Sequence, residues 1–325
     1  MSIAAGTRAR IEGAHRFSAF YRGHLASHYP MAIVALDSMG ADAADMDRFE
    51  ARYLPLLEPM AEGAAAVEAF AAAIARDGEE AVLRHWIPRL THAVASGAFH
   101  GAIRTAFALE SGSSRELAHA LAYWQAAYEA LRDAPPFAGS LAPHDVLRTI
   151  ARDSRFAGHK PPGRNIIERT VAASQMPGFD SHVGAIDPTK ADLDSIARAV
   201  LRAYAACGDF TLLHCVTGCH ALRLLSPYAG AGATRRLWPA IVAAYIGAGA
   251  PPLEGWGLVG DDSLDWEAIK ARAIRCEDEH DIKFAYSCWR EWQHRGDDLY
   301  RRVASARVCS AGTVAPAPVM AAEAC

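Results

Sequence analysis

Fourteen histidines stand out in this chain of 325 residues. Several lie in apolar surroundings, where an imidazole needs a partner. His24 and His28 are spaced i, i+4 and share one face if the segment is helical. His100 lies in Ala98-Phe99-His100-Gly101-Ala102-Ile103, with a glycine beside the imidazole. His214 lies in Thr211-Leu212-Leu213-His214-Cys215-Val216-Thr217, a run that reads as buried. His220 follows six residues later, about 120° round a helix, so it does not easily join His214 on one metal. His280 and Lys283 are spaced i, i+3 and share a face. Clustered imidazoles in a dry helical interior read as metal-ligand chemistry. For any one histidine, a hydrogen-bonded core or surface residue is the simpler alternative.

A second metal pattern competes. Glu12-x-x-His15, Glu116-x-x-His119 and Glu277-x-x-His280 match the E-x-x-H element of di-iron carboxylate bundles. The first two fall on charged, amphipathic segments and read as surface. Gly255-Trp256-Gly257-Leu258-Val259-Gly260 matches a dinucleotide fingerprint, but Ala250-Pro251-Pro252-Leu253-Glu254 before it is not a central strand. It reads as a loop. No Walker A, H-E-x-x-H, G-x-S-x-G, H-x-D or H-x-E sequence occurs.

The elements that must position these residues are helical nearly throughout, since alternating β-branched runs are scarce. Expected helices are Phe17 to Met39 with a kink near Pro30, Ala43 to Leu54, Glu62 to Arg76, Glu80 to Ser96, Phe99 to Glu110 and Arg115 to Arg132. Further helices are expected over Lys190 to Cys207, Phe210 to Leu225, Thr234 to Ile246, Ser263 to Ile274 and Cys276 to His294. Gly158 to Gly163, Met176 to Thr189 and Gly247 to Gly260 read as loops. The fold class is therefore all-α. It is a single large helical domain over residues 1–304, or two helical lobes meeting near residues 134–163, with a buried metal site between helices. Residues 305–325 read as a disordered tail.

Hydrophobic residues make up 51% and charged residues 22% of the chain, enough for a large core. The formal charge of -4 argues against a nucleic-acid-binding face. No apolar run reaches the ~18 residues that span a bilayer. The N-terminus lacks a basic segment followed by an apolar core, so no signal peptide is expected. Seven irregularly spaced cysteines suit a reducing compartment, and a cytoplasmic location is expected.

Four segments form an ordered set. The first is Ser27-His28-Tyr29-Pro30-Met31-Ala32, running through Leu36 to Met39-Gly40-Ala41. The second is Phe99-His100-Gly101-Ala102-Ile103-Arg104, followed by Ala106-Phe107-Ala108-Leu109-Glu110. The third is Phe210 through His214 and Gly218 to His220-Ala221. The fourth is Asp278-Glu279-His280-Asp281-Ile282-Lys283. Together they resemble the questin oxidase-like family, which includes fungal enzymes acting on anthraquinones and shorter bacterial members.

The resemblance implies an all-helical, non-haem iron oxygenase. It implies a mononuclear Fe(II) held by His28, His100, His214 and His280, with Lys283 as a carbamate and O2 as co-substrate. His214 is favoured over His220 because the long fungal members keep the first position and commonly have an apolar residue at the second. His24 stands outside this set and could support it through a hydrogen bond. Two departures matter: the family's asparagine before the first histidine is Ser27 here, and Cys215 and Cys219 bring thiols that oxidise near iron and oxygen.

The implied substrate is a small aromatic or polyketide molecule, a flat phenol or quinone. Phe99, Phe107, Tyr204, Phe210, Trp256, Tyr286 and Trp289 are available to line its pocket, with the Gly247 to Gly260 loop as a lid. The implied reaction is ring-opening dioxygenation or a Baeyer–Villiger-like oxidation. The latter draws on a reductant such as NADPH, for which the sequence offers no site. The alternatives are a di-iron carboxylate oxidase and a non-catalytic helical ligand-binding protein. No nucleic-acid or membrane partner is expected, and a homodimer is allowed.

Overall fold

Aspartate and proline open the helices that matter. Asp209 caps residues 210–229 by accepting from the Thr211 and Leu212 N–H groups, and Asp278 caps residues 279–295 by accepting from His280 N–H. Pro30 lies in the first turn of Tyr29–Met39, where its missing N–H costs nothing, and Gly40 ends that helix in the left-handed region.

The computed structural model describes residues 3–23, 25–60, 64–230, 232–254 and 264–310. Sixteen α-helices lie among them. The first half holds α1 (Ala5–Gly13), α2 (Tyr29–Met39), α3 (Ala43–Tyr53), α4 (Ala64–Asp77), α5 (Glu79–Leu90), α6 (His100–Ser111), α7 (Ser114–Ala126) and α8 (Pro143–Arg152). The second holds α9 (Ile166–Ser174), α10 (Phe179–Gly184), α11 (Leu193–Cys207), α12 (Phe210–Ala229), α13 (Ala233–Gly247), α14 (Trp266–Ala273), α15 (Glu279–Arg295) and α16 (Asp298–Ser310). One short hairpin pairs β1 (Phe20–Tyr21) with β2 (Leu25–Ala26) in antiparallel register, Phe20 opposite Ala26. The fold is all-α.

Four helices close a ring. α2 packs on α6 and α15, and α12 packs on the same two. α12 is apolar round its circumference, and every residue from Thr211 to Leu222 is buried, as a central helix must be. α7 backs α6, α11 backs α12, and α14 and α16 back α15. The apolar core is one cluster that extends from Ile3 to Val308, so the described residues form one domain. No helix among the described residues is long and apolar enough to cross a membrane.

The structure corrects four boundaries. The expected helix from Phe17 is a hairpin up to Ala26, turned by left-handed Arg22 and Gly23, and only Tyr29–Met39 is helical. The chain leaves the helix of Arg115 to Arg132 at Ala126, because the Glu129 N–H donates to Ser96 Oγ instead of continuing the ladder. The expected Met176 to Thr189 loop contains α10, whose Phe179 and Val183 are buried. The tail does not begin at 305: α16 continues to Ser310, held by buried Ser305 and Val308 and by an Arg307–Asp281 ion pair. Residues 311–325 and 255–263 lie outside the described residues, as does His24.

Candidate metal centre

Each helix of the ring contributes one histidine, and each does so near its N-terminal end. His28 is the N-cap of α2, His100 and His280 lie in the first turns of α6 and α15, and His214 follows in the second turn of α12. The rings touch in the order in which the helices pack. Centroids lie 4.4 Å apart for His28–His100, 4.9 Å for His100–His214, 5.2 Å for His214–His280 and 4.5 Å for His280–His28. Nitrogens of His28, His100 and His280 fall within 4.8 Å of one another, close to the separation of two ligands on opposite sides of one ion (~4 Å). His214 completes the circle through its ring contacts.

All four Nδ1 atoms face an oxygen. His100 Nδ1 meets the Gly97 carbonyl, and His214 Nδ1 meets the Phe210 carbonyl at 2.8 Å. A carbonyl only accepts, so in both rings Nδ1 carries the proton and Nε2 keeps its lone pair. His28 Nδ1 lies 3.0 Å from Glu279 Oε1, and His280 Nδ1 lies 2.7 Å from Asp278 Oδ1. Although burial pushes the Asp278 carboxyl up, His280 and Arg307 hold it well below its ordinary value, so it accepts as a carboxylate. His100 Nε2 is buried without a hydrogen-bond partner. Anchored Nδ1 and unpartnered Nε2 is the arrangement of an imidazole prepared for a metal.

Burial lowers the pKa of His28, His100 and His214 well below the ordinary value, and neighbouring imidazoles and Lys283 lower it further. These three rings are neutral at pH 7, as ligation requires. Lys283 is 2% exposed. Burial pushes its amine down to about 8, against the opposing pull of Glu279 and Asp278. Among the described residues no carboxylate lies within ion-pair distance of Lys283. Residues Asp278, Glu279 and His280 also group within 4.8 Å, but both carboxylates are committed to imidazole nitrogens.

The backbone ahead of His100 is strained. Gly97, Ala98 and Phe99 all lie in the left-handed region, at φ 57°, 56° and 67°. This turn carries the Gly97 carbonyl back to His100. Left-handed backbone costs a non-glycine residue roughly 1–2 kcal/mol, and glycine costs ~0.5–1 kcal/mol more in chain entropy on folding. Ala98→Gly should therefore stabilise the protein by up to ~1 kcal/mol, seen as a melting temperature higher by about 2 °C. A lower melting temperature would mean that the buried Ala98 methyl contributes more packing than strain.

A model of the questin oxidase-like family matches residues 64–288. The chain belongs to that family. No curated protein matches it. Membership makes the protein an oxidoreductase of the questin oxidase kind. The matched stretch includes His100, His214, His280 and Lys283. His28 lies upstream of it, so its place beside them rests on geometry.

The structure sorts the remaining candidates. His220 is buried on another side of α12 and pairs with Glu291 at 3.0 Å. The E-x-x-H elements do not assemble a carboxylate bundle. Glu12 and Glu277 are exposed. Glu116 is buried against Arg104, at 2.8 Å and 3.3 Å, and against His15 at 3.0 Å, while the His15 and His119 rings stack at 4.2 Å. Burial pushes the Cys215 and Cys219 thiols well up, so both are neutral thiols in the metal-free protein. Of the aromatic candidates, Phe210 borders the cluster, 4.7 Å from both His214 and His280, and Phe99 adjoins His100. Phe107, Tyr204, Tyr286 and Trp289 are core residues, and Trp256 lies outside the described residues. Asp278 and Glu279 had no assigned role in the sequence. The local sign was the N-cap aspartate one residue before the helix.

Proposed function

We propose that this protein is a mononuclear non-haem iron oxygenase acting on an aromatic, quinone-type substrate of the anthraquinone class. Fe(II) would be held by His28, His100, His214 and His280, with Lys283 as a carbamate. The observation that carries this reading is the closed circle of four imidazoles with every Nδ1 anchored. Ferrous iron, when bound, supplies the electrons that let dioxygen react with a closed-shell organic molecule. The protein supplies the rest. Gly97, Phe210, Asp278 and Glu279 anchor the four rings through Nδ1. Four helix N-termini favour negative charge at the centre, which suits a carbamate. A carbamate forms only from a neutral amine, and burial favours that form of Lys283. The Phe210 ring shields two of the imidazoles from water.

Two courses differ in their balance. Dioxygenation places both oxygen atoms in the ring-opened product and needs no outside reductant. A Baeyer–Villiger-like course inserts one oxygen, releases the other as water and consumes two electrons from NADPH. We favour the first. Oxygen uptake with hydroxylated anthraquinones and their hydroquinones should require both the protein and ferrous iron and should proceed without NADPH, with two labelled atoms from 18O2 in the product. One labelled atom with stoichiometric NADPH consumption would select the second course. Uptake indifferent to iron would refute the proposal.

A further inference from the structure

We propose that the contact between Phe99 and Gly218 is a gauge that sets the spacing of His100 and His214. The inference rests on the metal reading above only for its metal-binding readout. Phe99 immediately precedes His100. Gly218 lies one turn after His214 on α12, on the same face. A Cβ on Gly218 would come within 3.0 Å of Phe99 Cγ and Cδ1. The base of the Phe99 side chain therefore rests on bare α12 backbone, one turn from the place where the two imidazoles meet at 4.9 Å.

Phe99 has little room to give. Phe99 is 1% exposed and has a left-handed backbone, φ 67° and ψ 0°, within the turn that aims the Gly97 carbonyl at His100. Retreat of α6 is blocked from behind. A Cβ on Gly101 would lie 2.3 Å from Trp124 Cδ1, so the indole rests on the α6 backbone, and its Nε1 donates to the Ala93 carbonyl at 3.2 Å. α6 is thus held between Trp124 of α7 and Gly218 of α12. One methyl group at 218 would have to move Phe99, and with it His100 and its Nδ1 acceptor. Phe99 and Gly218 are positioning residues.

The test uses Gly218→Ala, Phe99→Leu and the double variant, with Co(II) as the metal probe. Gly218→Ala should weaken Co(II) binding about 10-fold or more, the scale for disturbing the support of metal ligands, and should alter the visible Co(II) absorption. Phe99→Leu/Gly218→Ala should recover to within about threefold of the parent, because the smaller side chain makes room for the methyl. Gly218→Ala binding like the parent, or a double variant as weak as the single one, overturns the gauge. If Gly218→Ala does not fold, folding and recovered binding in the double variant support it, and failure of the double variant to recover overturns it. A parent chain that binds no Co(II) refutes the metal reading instead. The gauge is then judged on metal-free protein by 15N-resolved imidazole NMR. Loss of the Nδ1–H form of His100 in Gly218→Ala supports it, and an unchanged tautomer overturns it.

Discussion

Loaded with ferrous iron and bicarbonate in the absence of oxygen, the protein should hold about one iron per chain, and His100→Ala and Lys283→Ala should each lose it. The reason lies in how the ligands are shared out. In the proposed centre the four imidazoles would come from four different helices, α2, α6, α12 and α15. Removing His100 opens the circle between α2 and α12, since its ring touches both His28 and His214. On the same proposal, removing Lys283 would take away the one anionic donor while leaving the imidazoles in place. Lys283→Ala should therefore regain part of its iron when a short carboxylate such as acetate or propionate is supplied, whereas His100→Ala should not. Elemental analysis of the desalted protein checks this. About two irons per chain, insensitive to Lys283→Ala, would indicate a dinuclear carboxylate centre. An iron-free parent protein would leave the four histidines as structure.

The largest effect on stability should come from the buried Arg104–Glu116 pair. Arg104 is 6% exposed and Glu116 1%. Glu116→Ala leaves a buried guanidinium without its carboxylate, and Arg104→Ala does the reverse. Each should cost roughly 3–5 kcal/mol. Replacing both with apolar residues of similar size, Arg104→Met with Glu116→Leu, should recover most of the loss. Burial pushes the Glu116 carboxyl up, but Arg104 and His15 outweigh it and hold its pKa at about 2. The folded value lies below the unfolded one, so the pair stabilises above the ordinary carboxylate range. That contribution is lost as pH falls from about 4.5 toward 2. Burial holds His119 neutral, with its pKa pushed down to about 3. It adds to acid destabilisation in the same direction, because the unfolded chain takes up that proton at higher pH. Denaturant midpoints against pH should show a shallower acid limb in Glu116→Gln than in the parent. Iron content should not change in either Glu116 variant, which would set this cluster apart from the candidate metal centre. A Glu116→Ala protein as stable as the parent would refute the account.

The sequence by itself determined what local physics can carry. The all-α class follows from helix-forming composition and 3–4 periodicity, which report on each segment alone. The pairing of His280 with Lys283 on one face follows from their spacing, and the burial of His214 follows from its apolar neighbours. The four ligand candidates came from an ordered resemblance rather than from spacing. Local pattern misled where a distant partner intervened. The residues after Phe17 look helical but turn back as a hairpin, which is why His28 caps a helix instead of lying within one. Ser96 draws Glu129 out of a helical run, and Asp281 keeps Arg307 and α16 in order beyond Ala304. Only the tertiary structure decided the site itself. Glu279 reaches His28 across 251 residues of chain, and the Gly97 carbonyl reaches His100 only through three consecutive left-handed residues. His220 turns to Glu291 and leaves His214 to the cluster. Periodicity specifies which face of a helix is buried. Which faces meet is decided by packing between helices distant in sequence, and in this protein that packing brings four separate imidazoles into one circle.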